Sequence, residues 1–550
     1  MEGIIPYPPQ RVKEYLEKGY WLNRAVGEVF DGTASRYADK EVLVSEHSRW
    51  TYSDLAGAAE RLALALLEKG IRKEDRVVLL LPNCPELACL YIALAKIGAV
   101  GVWALPQHRE REVGYLLGIT EAAAVVVPRE FRGFDYVRMA RELLPDHPSL
   151  KHVIVAGEET PAGFTPLEAL IRKPPKTGDP VEILKRFRPD PGEPLCLLLT
   201  GGTTAFPKIV PRTHNGMLLA SRCGAEHRGH NSPDSTYLLT NHISHGAGMQ
   251  RLTGCIVVNG ARVVLLKRPL PQNMLEAIEK ERVTHTGMVP TQALDMVSHP
   301  DFEKYDLSSL RSIDLPGARA SLELLKVMKA RLPHCAVHVA FGSNEGMMLS
   351  SRPGDTFEMA CEGAIRPICP GDELIIIDET GRQVPDGTVG EIIARGPNII
   401  TGYYKSPELN QQAFDAEGFW HPGDLFVKNR DGTYRAMGRK DDMIIRGGEN
   451  ISAKEIEEAL SSHPSIAGVA VVAMTDARLG QKACACVRLH PGKALTFPDM
   501  LDFLEKQHLA KYKWPERLEI FPEFPLTHIG KISKKELKAD IERKLCAEAT

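Results

Sequence analysis

The chain has 550 residues, 43% hydrophobic and 25% charged, proportions of a globular protein rather than a disordered or fibrous one. That length exceeds what one core organises, so two or more domains are expected. A formal net charge of -3 with no long run of like charges gives no electrostatic basis for nucleic acid or an anionic membrane as partner.

The N-terminus lacks a charged-then-apolar leader pattern, which points to a cytoplasmic protein. Ser53-Asp54 opens an Ala/Leu-rich helix that stops at Gly70, with cap and stop residues where a helix needs them. A strand is expected over 76–81, a helix over 85–97 and a strand over 100–105. Shorter strands follow at 123–127 and 152–156. The most apolar stretch, 89–105, is interrupted by Lys96, Gly98 and Gly101. It reads as helix, turn and strand rather than as a membrane span. This βαβ rhythm predicts an α/β fold with mainly parallel, helix-covered sheets. Residues 185–194 read as a connector into a buried strand over 195–199. Apolar alternation at 337–341 marks another strand. Pro/Gly-rich 351–372 reads as irregular, and 373–395 as short strands of a small β-barrel-like unit. Beyond 438–442 the order is strand 443–445, helix 453–461, strand 466–473 and helix 497–508, a small α+β domain. The expected division is a core over 1–438, a hinge over 439–442 and a mobile C-terminal domain over 443–550.

Eleven cysteines form no C-x-x-C pair and read as reduced, buried thiols; Cys484 and Cys486 would share one strand face. His334, Cys335 and His338 are spaced like metal ligands, but no second ligand pair stands near, so a structural role is expected.

Chemistry concentrates after the 195–199 strand, in Thr200-Gly201-Gly202-Thr203-Thr204-Ala205-Phe206-Pro207-Lys208. Two glycines let backbone N–H groups approach a phosphate, threonine hydroxyls add donors, and Lys208 adds a mobile cation. The spacing is not that of a Walker-type loop. It resembles the [ST]-G-[ST]-T-G-x-P-K loop of the adenylate-forming enzymes, with Ala205 in place of a glycine. Further segments follow in that superfamily's order. They are Phe341-Gly342-Ser343-Asn344-Glu345, His421-Pro422-Gly423-Asp424, Gly438-Arg439-Lys440-Asp441-Asp442, Gly447-Gly448-Glu449-Asn450-Ile451 and Pro525-Leu526-Thr527-His528-Ile529-Gly530-Lys531. Pro6-Tyr7-Pro8-Pro9, Ala104-Leu105-Pro106-Gln107-His108-Arg109 and Pro211-Arg212-Thr213-His214 are similar to stand-alone 2,3-dihydroxybenzoate- and salicylate-AMP ligases of siderophore pathways.

The resemblance implies ATP and Mg²⁺ as cofactors. It implies activation of an aryl acid to aryl-AMP, then capture by the phosphopantetheine thiol of an aryl carrier protein acting in trans, or by CoA. By the same resemblance Thr200, Gly201, Gly202, Thr203, Thr204 and Lys208 would hold the β- and γ-phosphates. Glu345 would hold the metal, Asp424 the ribose hydroxyls, and Arg439 the ribose or a phosphate. Gly317, Ala318, Phe341 and Gly342 would meet the nucleotide, with Phe341 stacked on adenine or left in the core. Lys531 and Glu345 would be the catalytic residues. The acid would lie against Asn241, His242, His245, Gly246, Met249 and Pro316. Two placements of the family's His-Asn pair are open here. One puts His245-Gly246 at the pair, which leaves no side-chain donor for a ring 2-hydroxyl; the other puts Asn241-His242 there, reversed. Asp441 would be the hinge residue, and Gly447 and Gly448 would line the thiol's path. Asp441 and the Ser244-His245-Gly246-Ala247-Gly248 string are also similar to CoA ligases. A nucleotide-binding homologue without catalysis, or a kinase releasing ADP, are the rival classes.

Overall fold

The structure, a computed structural model, describes residues 1–157, 159–174, 179–200, 207–317, 320–446, 449–476, 479–507, 509, 511–527 and 531–549. Among these the chain builds two large sheets. In the first, strands Val100–Trp103, Arg76–Leu79, Ala124–Pro128 and His152–Ala156 run parallel. Pro194–Thr200 joins Val100–Trp103 in parallel, and Lys208–Thr213 returns antiparallel beside it. The second sheet runs Ala336–Gly342, Ser312–Leu315, His285–Gly287, Thr236–Leu239, Arg262–Leu265, Glu41–Val44, parallel throughout, with antiparallel edges.

The expected elements over 76–127 follow from local signals. Helix Pro85–Ile97 has proline in its first turn and ends at Gly98, which takes a left-handed φ of 67°. Helix Tyr52–Glu68 begins where Thr51 and Asp54 form a capping box. Both helices bury apolar faces in the core shared by the two sheets. No helix among the described residues is long and apolar enough to cross a membrane.

Two stretches differ from expectation. The connector at 185–194 begins inside a helix, Pro180–Phe187, capped by the Asp179 carboxylate on the Val181 N–H. The irregular stretch 351–372 contains helix Phe357–Glu362, capped by Thr356 and closed by Gly363 at φ 71°. The small β unit is an antiparallel meander, Glu373–Ile377, Val389–Arg395, Asp424–Lys428 and Tyr434–Arg439. After a short 3₁₀ turn, Lys440–Asp442, a new sheet begins at Met443–Arg446, and Ile466–Asp476 pairs antiparallel with Gly480–Leu489 at its centre. Its helix Ala453–Ser461 has the expected bounds. Cys484 and Cys486 are fully buried on one strand face. His334 bonds the Leu307 carbonyl at 3.2 Å, and Cys335 is buried.

Candidate active site

The phosphate-loop residues Gly201, Gly202, Thr203 and Thr204, together with Ala318, Gly447 and Gly448, lie outside the described residues. What flanks the loop is placed. Thr200 ends one strand and pairs with Lys208, which opens the next. Thr200 and Lys208 therefore stand at the open end of an antiparallel pair. The Lys208 ammonium stands 5.1 Å from the centre of the Tyr403 ring, a cation–π distance.

Tyr403 also fixes Glu345. Its hydroxyl donates to Glu345 Oε1 at 3.0 Å and accepts from Trp420 Nε1 at 3.1 Å. The Glu345 backbone carbonyl accepts from the Ile400 N–H at 2.9 Å, and Glu345 is 5% exposed. Arg212 donates to the Asn344 carbonyl at 2.9 Å and to the Asn398 side chain, bracing the same turn. One Glu345 oxygen is thus oriented by protein, and only that oxygen has a hydrogen-bond partner among the described residues. A buried carboxylate with one oxygen uncommitted suits a hard divalent cation. The sequence reading missed Tyr403, Trp420 and Asn398; the Gly402-Tyr403-Tyr404 string carries no chemistry until it folds against Glu345.

Asp424 begins the strand Asp424–Lys428 directly opposite Arg439. Arg439 Nη1 lies 3.5 Å from Asp424 Oδ1, and Arg439 Nη2 donates to the Pro422 carbonyl at 2.8 Å. Burial raises the Asp424 carboxyl to about 6; Arg439 opposes this, Glu345 adds to it, and Lys454 and Lys531 oppose it. Phe341 packs edge-on against Phe426, with ring centres 5.0 Å apart, and Gly317 adopts φ 90° just after strand Ser312–Leu315.

Lys531 lies between strand Arg517–Ile520 and helix Lys534–Ala549, in the C-terminal part of the chain. Thr527 and Lys531 close a small loop, the Lys531 N–H on the Thr527 hydroxyl at 3.1 Å and the Thr527 N–H on the Lys531 carbonyl at 2.6 Å. The Lys531 side chain stands at an open edge. Surrounding protein nevertheless desolvates its ammonium and lowers its pKa; Asp424 raises it and Arg439 lowers it further. Lys531 also acts on His245, whose pKa falls to about 4, first through burial and then through that cation. The Lys531 charge thus acts on Asp424 and His245, and Arg439 acts on Lys531 in turn.

The expected acid segment is rigid. Asn83 donates to the Asn241 carbonyl at 3.1 Å and accepts from the Ile243 N–H at 2.9 Å. His242 has both ring nitrogens occupied, Nε2 by the Leu81 carbonyl at 3.0 Å and Nδ1 by the Ser244 N–H at 3.0 Å, and burial lowers its pKa to about 3. Both ring nitrogens thus hold backbone. Met249 is fully buried with Cys196 Sγ 3.5 Å from its sulfur, so it belongs to the wall. Gly246 donates its N–H to Asn344 Oδ1 at 3.1 Å, and a side chain there would overlap that oxygen. Asn241 Oδ1 lies 3.4 Å from Arg251 Nη1. Pro316 is half-buried beside Gly317.

Comparison with known proteins agrees with this architecture. Residues 30–404 match the AMP-binding enzyme family and residues 455–531 match the AMP-binding enzyme C-terminal domain. The 2,3-dihydroxybenzoate-AMP ligase of Bacillus subtilis (strain 168) is 34% identical over 554 residues, spanning 100% of this chain and 99% of its own. The salicyl-AMP ligase / salicyl-S-ArCP synthetase of Mycobacterium tuberculosis is 35% identical, over 97% of this chain and 94% of its own. The apo structure of Mycobacterium smegmatis MbtA shares the fold with a TM-score of 0.72 at 32% identity, over 98% of each chain. A parallel-sheet core and a small C-terminal sheet, matched along nearly the whole length of the chain, make it a member of the AMP-binding, adenylate-forming enzyme family.

Proposed function

We propose that the chain activates an aryl carboxylic acid with ATP and passes the acyl group to a phosphopantetheine thiol of a carrier protein. In the first step an acid oxygen attacks the α-phosphorus, a P–O bond forms, and pyrophosphate leaves. In the second the thiol attacks the acyl carbonyl and AMP leaves. The observation that carries this reading is the buried Glu345 carboxylate, oriented through one oxygen by Tyr403, together with the Asp424–Arg439 pair across neighbouring strands; the charge of Lys531, acting on Asp424 and His245, agrees with it. A cation there faces the nucleotide's ribose acceptor on one side and the acid segment on the other, where negative charge develops. Asp424 would accept the ribose hydroxyls, Phe341 and Gly317 would border the base, and Thr200 and Lys208 would flank the phosphates. Glu345 would hold Mg²⁺, which neutralises phosphate charge when bound. The relatives' activities on 2,3-dihydroxybenzoate and salicylate support an aryl acid.

We read residues 1–438 as the core, 439–442 as the hinge and 443–550 as the domain that delivers Lys531. A second reading, free CoA as acceptor, draws on Asp441 in the hinge and on the Ser244-to-Gly248 string. Pyrophosphate exchange across benzoate, salicylate, 2,3-dihydroxybenzoate, anthranilate and short aliphatic acids tests the first step. Exchange with an aryl acid and release of AMP is expected. Release of ADP, or exchange only with aliphatic acids, overturns the reading. Supplying acyl-AMP with either holo-carrier protein or CoA separates the two acceptors.

A further inference from the structure

A layer of buried charge underlies the acid segment. Arg251 lies on helix Gly246–Leu252, Arg228 ends helix His214–Arg228, and Asp314 lies on strand Ser312–Leu315. Their exposures are 2%, 5% and 1%. Asp314 Oδ2 stands 3.5 Å from both Arg251 Nη2 and Arg228 Nε, the outer limit of useful contact. His230, His285 and His338 surround the carboxylate. Burial, the largest influence on each, takes His230 to about 3, His285 to about 4 and His338 below its ordinary value, so all three are neutral at pH 7. Two guanidinium groups against one carboxylate leave a net positive charge in the interior. Such a charge is costly unless something completes it.

The donors are also incomplete. Among the described residues Arg251 Nε, Arg228 Nε and Nη1, and the Tyr237 hydroxyl have no hydrogen-bond partner, and neither has Asp314 Oδ1. Buried polar groups are rarely left so. Two of these donors converge. A Cβ on Gly287 would lie 2.7 Å from the Tyr237 hydroxyl and 2.8 Å from Arg251 Nε. Gly287 ends its strand, and open parallel sheets take ligands at the carboxyl ends of their strands. Arg251 Nη1 reaches back to the Ala247 carbonyl at 3.1 Å, toward the end of its helix that His245 caps. Lys531 and His245 mark where the carboxylate reacts; Arg251 stands further along the same segment.

Resting on the aryl-acid reading above, we propose that Arg251, with Tyr237 beside it, is a specificity-determining residue that receives an oxygen acceptor, a hydroxyl or a second carboxylate, on the end of the ring remote from the reacting carboxylate. A bare ring would leave both donors unpaired, and sites built to hydrogen-bond a substituent discriminate strongly against analogues lacking it.

The test is kcat/KM for pyrophosphate exchange with benzoate, 3-hydroxybenzoate, 4-hydroxybenzoate and isophthalate. The native enzyme is expected to favour at least one oxygen-bearing acid over benzoate by about thirtyfold or more, mainly through KM. Arg251→Met should bring that ratio within about threefold of one, and Arg251→Lys should keep part of it. Should Arg251→Met fail to fold, Tyr237→Phe removes one hydroxyl at constant volume and should still lower the ratio severalfold. Equal use of all four acids by the native enzyme, or variants that slow every acid in the same proportion, would overturn the proposal and mark the cluster as structural. Exchange with no aryl acid would instead remove the aryl-acid reading itself.

Discussion

At Asp424 the burial that shields the ribose site also raises the carboxyl to about 6. The sign of the consequence follows. The folded state holds this proton more tightly than the unfolded chain, whose aspartate titrates near about 4. Stability from this group is therefore present at low pH and falls as pH rises from about 4 through 6. Ribose binding runs the other way, because a carboxylate accepts two hydroxyls better than a carboxylic acid does. Adenosine, which carries no phosphate to titrate, should bind about tenfold more weakly at pH 5 than at pH 7.5, since one unit below the pKa only about a tenth of the group is ionised. Calorimetric titration checks this, and Asp424→Asn should bind weakly and flatten the dependence. At Lys531 the expectation is kinetic. Lys531→Ala should slow pyrophosphate exchange by about 10²–10³, the usual loss for one preorganised donor, while thioester formation from supplied acyl-AMP continues. Normal exchange in that variant would sink its catalytic role. Tyr403→Phe leaves the buried Trp420 Nε1 without its acceptor and frees Glu345 Oε1. Chemical denaturation should show a loss of about 1–3 kcal/mol, and the Mg²⁺ concentration for half-maximal exchange should rise.

At the scale of elements, the turn at 241–252 decides what the acid pocket can read. Gly246 is locked to Asn344, and Gly248 packs so tightly on His242 that a side chain there would overlap its carbonyl. No side-chain donor issues from Gly246, so salicylate should gain little over benzoate in exchange, within the ~0.5–1.5 kcal/mol of one ordinary hydrogen bond. A preference beyond about a hundredfold would mean that Asn241 or another donor reads the 2-hydroxyl. The strands and helices of 76–156 were legible because each carries its own periodicity and its own stops, as Gly98 does for Pro85–Ile97. Helices Pro180–Phe187 and Phe357–Glu362 escaped notice. Each is short with a single buried residue, so only its end residues, Asp179 and Pro180 in one and Thr356 and Gly363 in the other, marked it locally. The motif residues Glu345, Asp424 and Lys531 were legible because their spacing within motifs is local. Tyr403 and Glu345 lie 58 residues apart, and Arg251 and Asp314 lie 63 apart. Nothing in a one-dimensional pattern pairs them; only strand register and helix packing bring them together.

Across the whole molecule, the two half-reactions ask for different things at one place. On the proposed reading adenylation would need Lys531 beside the α-phosphate, and thioester formation would need a path for a long thiol arm. In the structure the charge of Lys531 acts on Asp424 and His245, as the first of these would require. The Ser452 hydroxyl donates to the Met437 carbonyl at 2.9 Å, while Lys534 bridges Glu457 at 2.7 Å within the segment that would move and Asp442 of the hinge at 3.3 Å. Between Arg439 and Met443 the chain makes one 3₁₀ turn, Lys440–Asp442, and a few residues of that kind suffice to absorb a change in φ and ψ. A rotation there would withdraw Lys531 and turn a different face of the small domain toward the core. Asp441→Pro fixes one φ near about −65° and removes one N–H. It should therefore preserve pyrophosphate exchange and slow transfer from acyl-AMP to the thiol, read separately by single-turnover assays. Equal loss in both assays would point to misfolding or to a static site, and no loss in either would take Asp441 out of the motion.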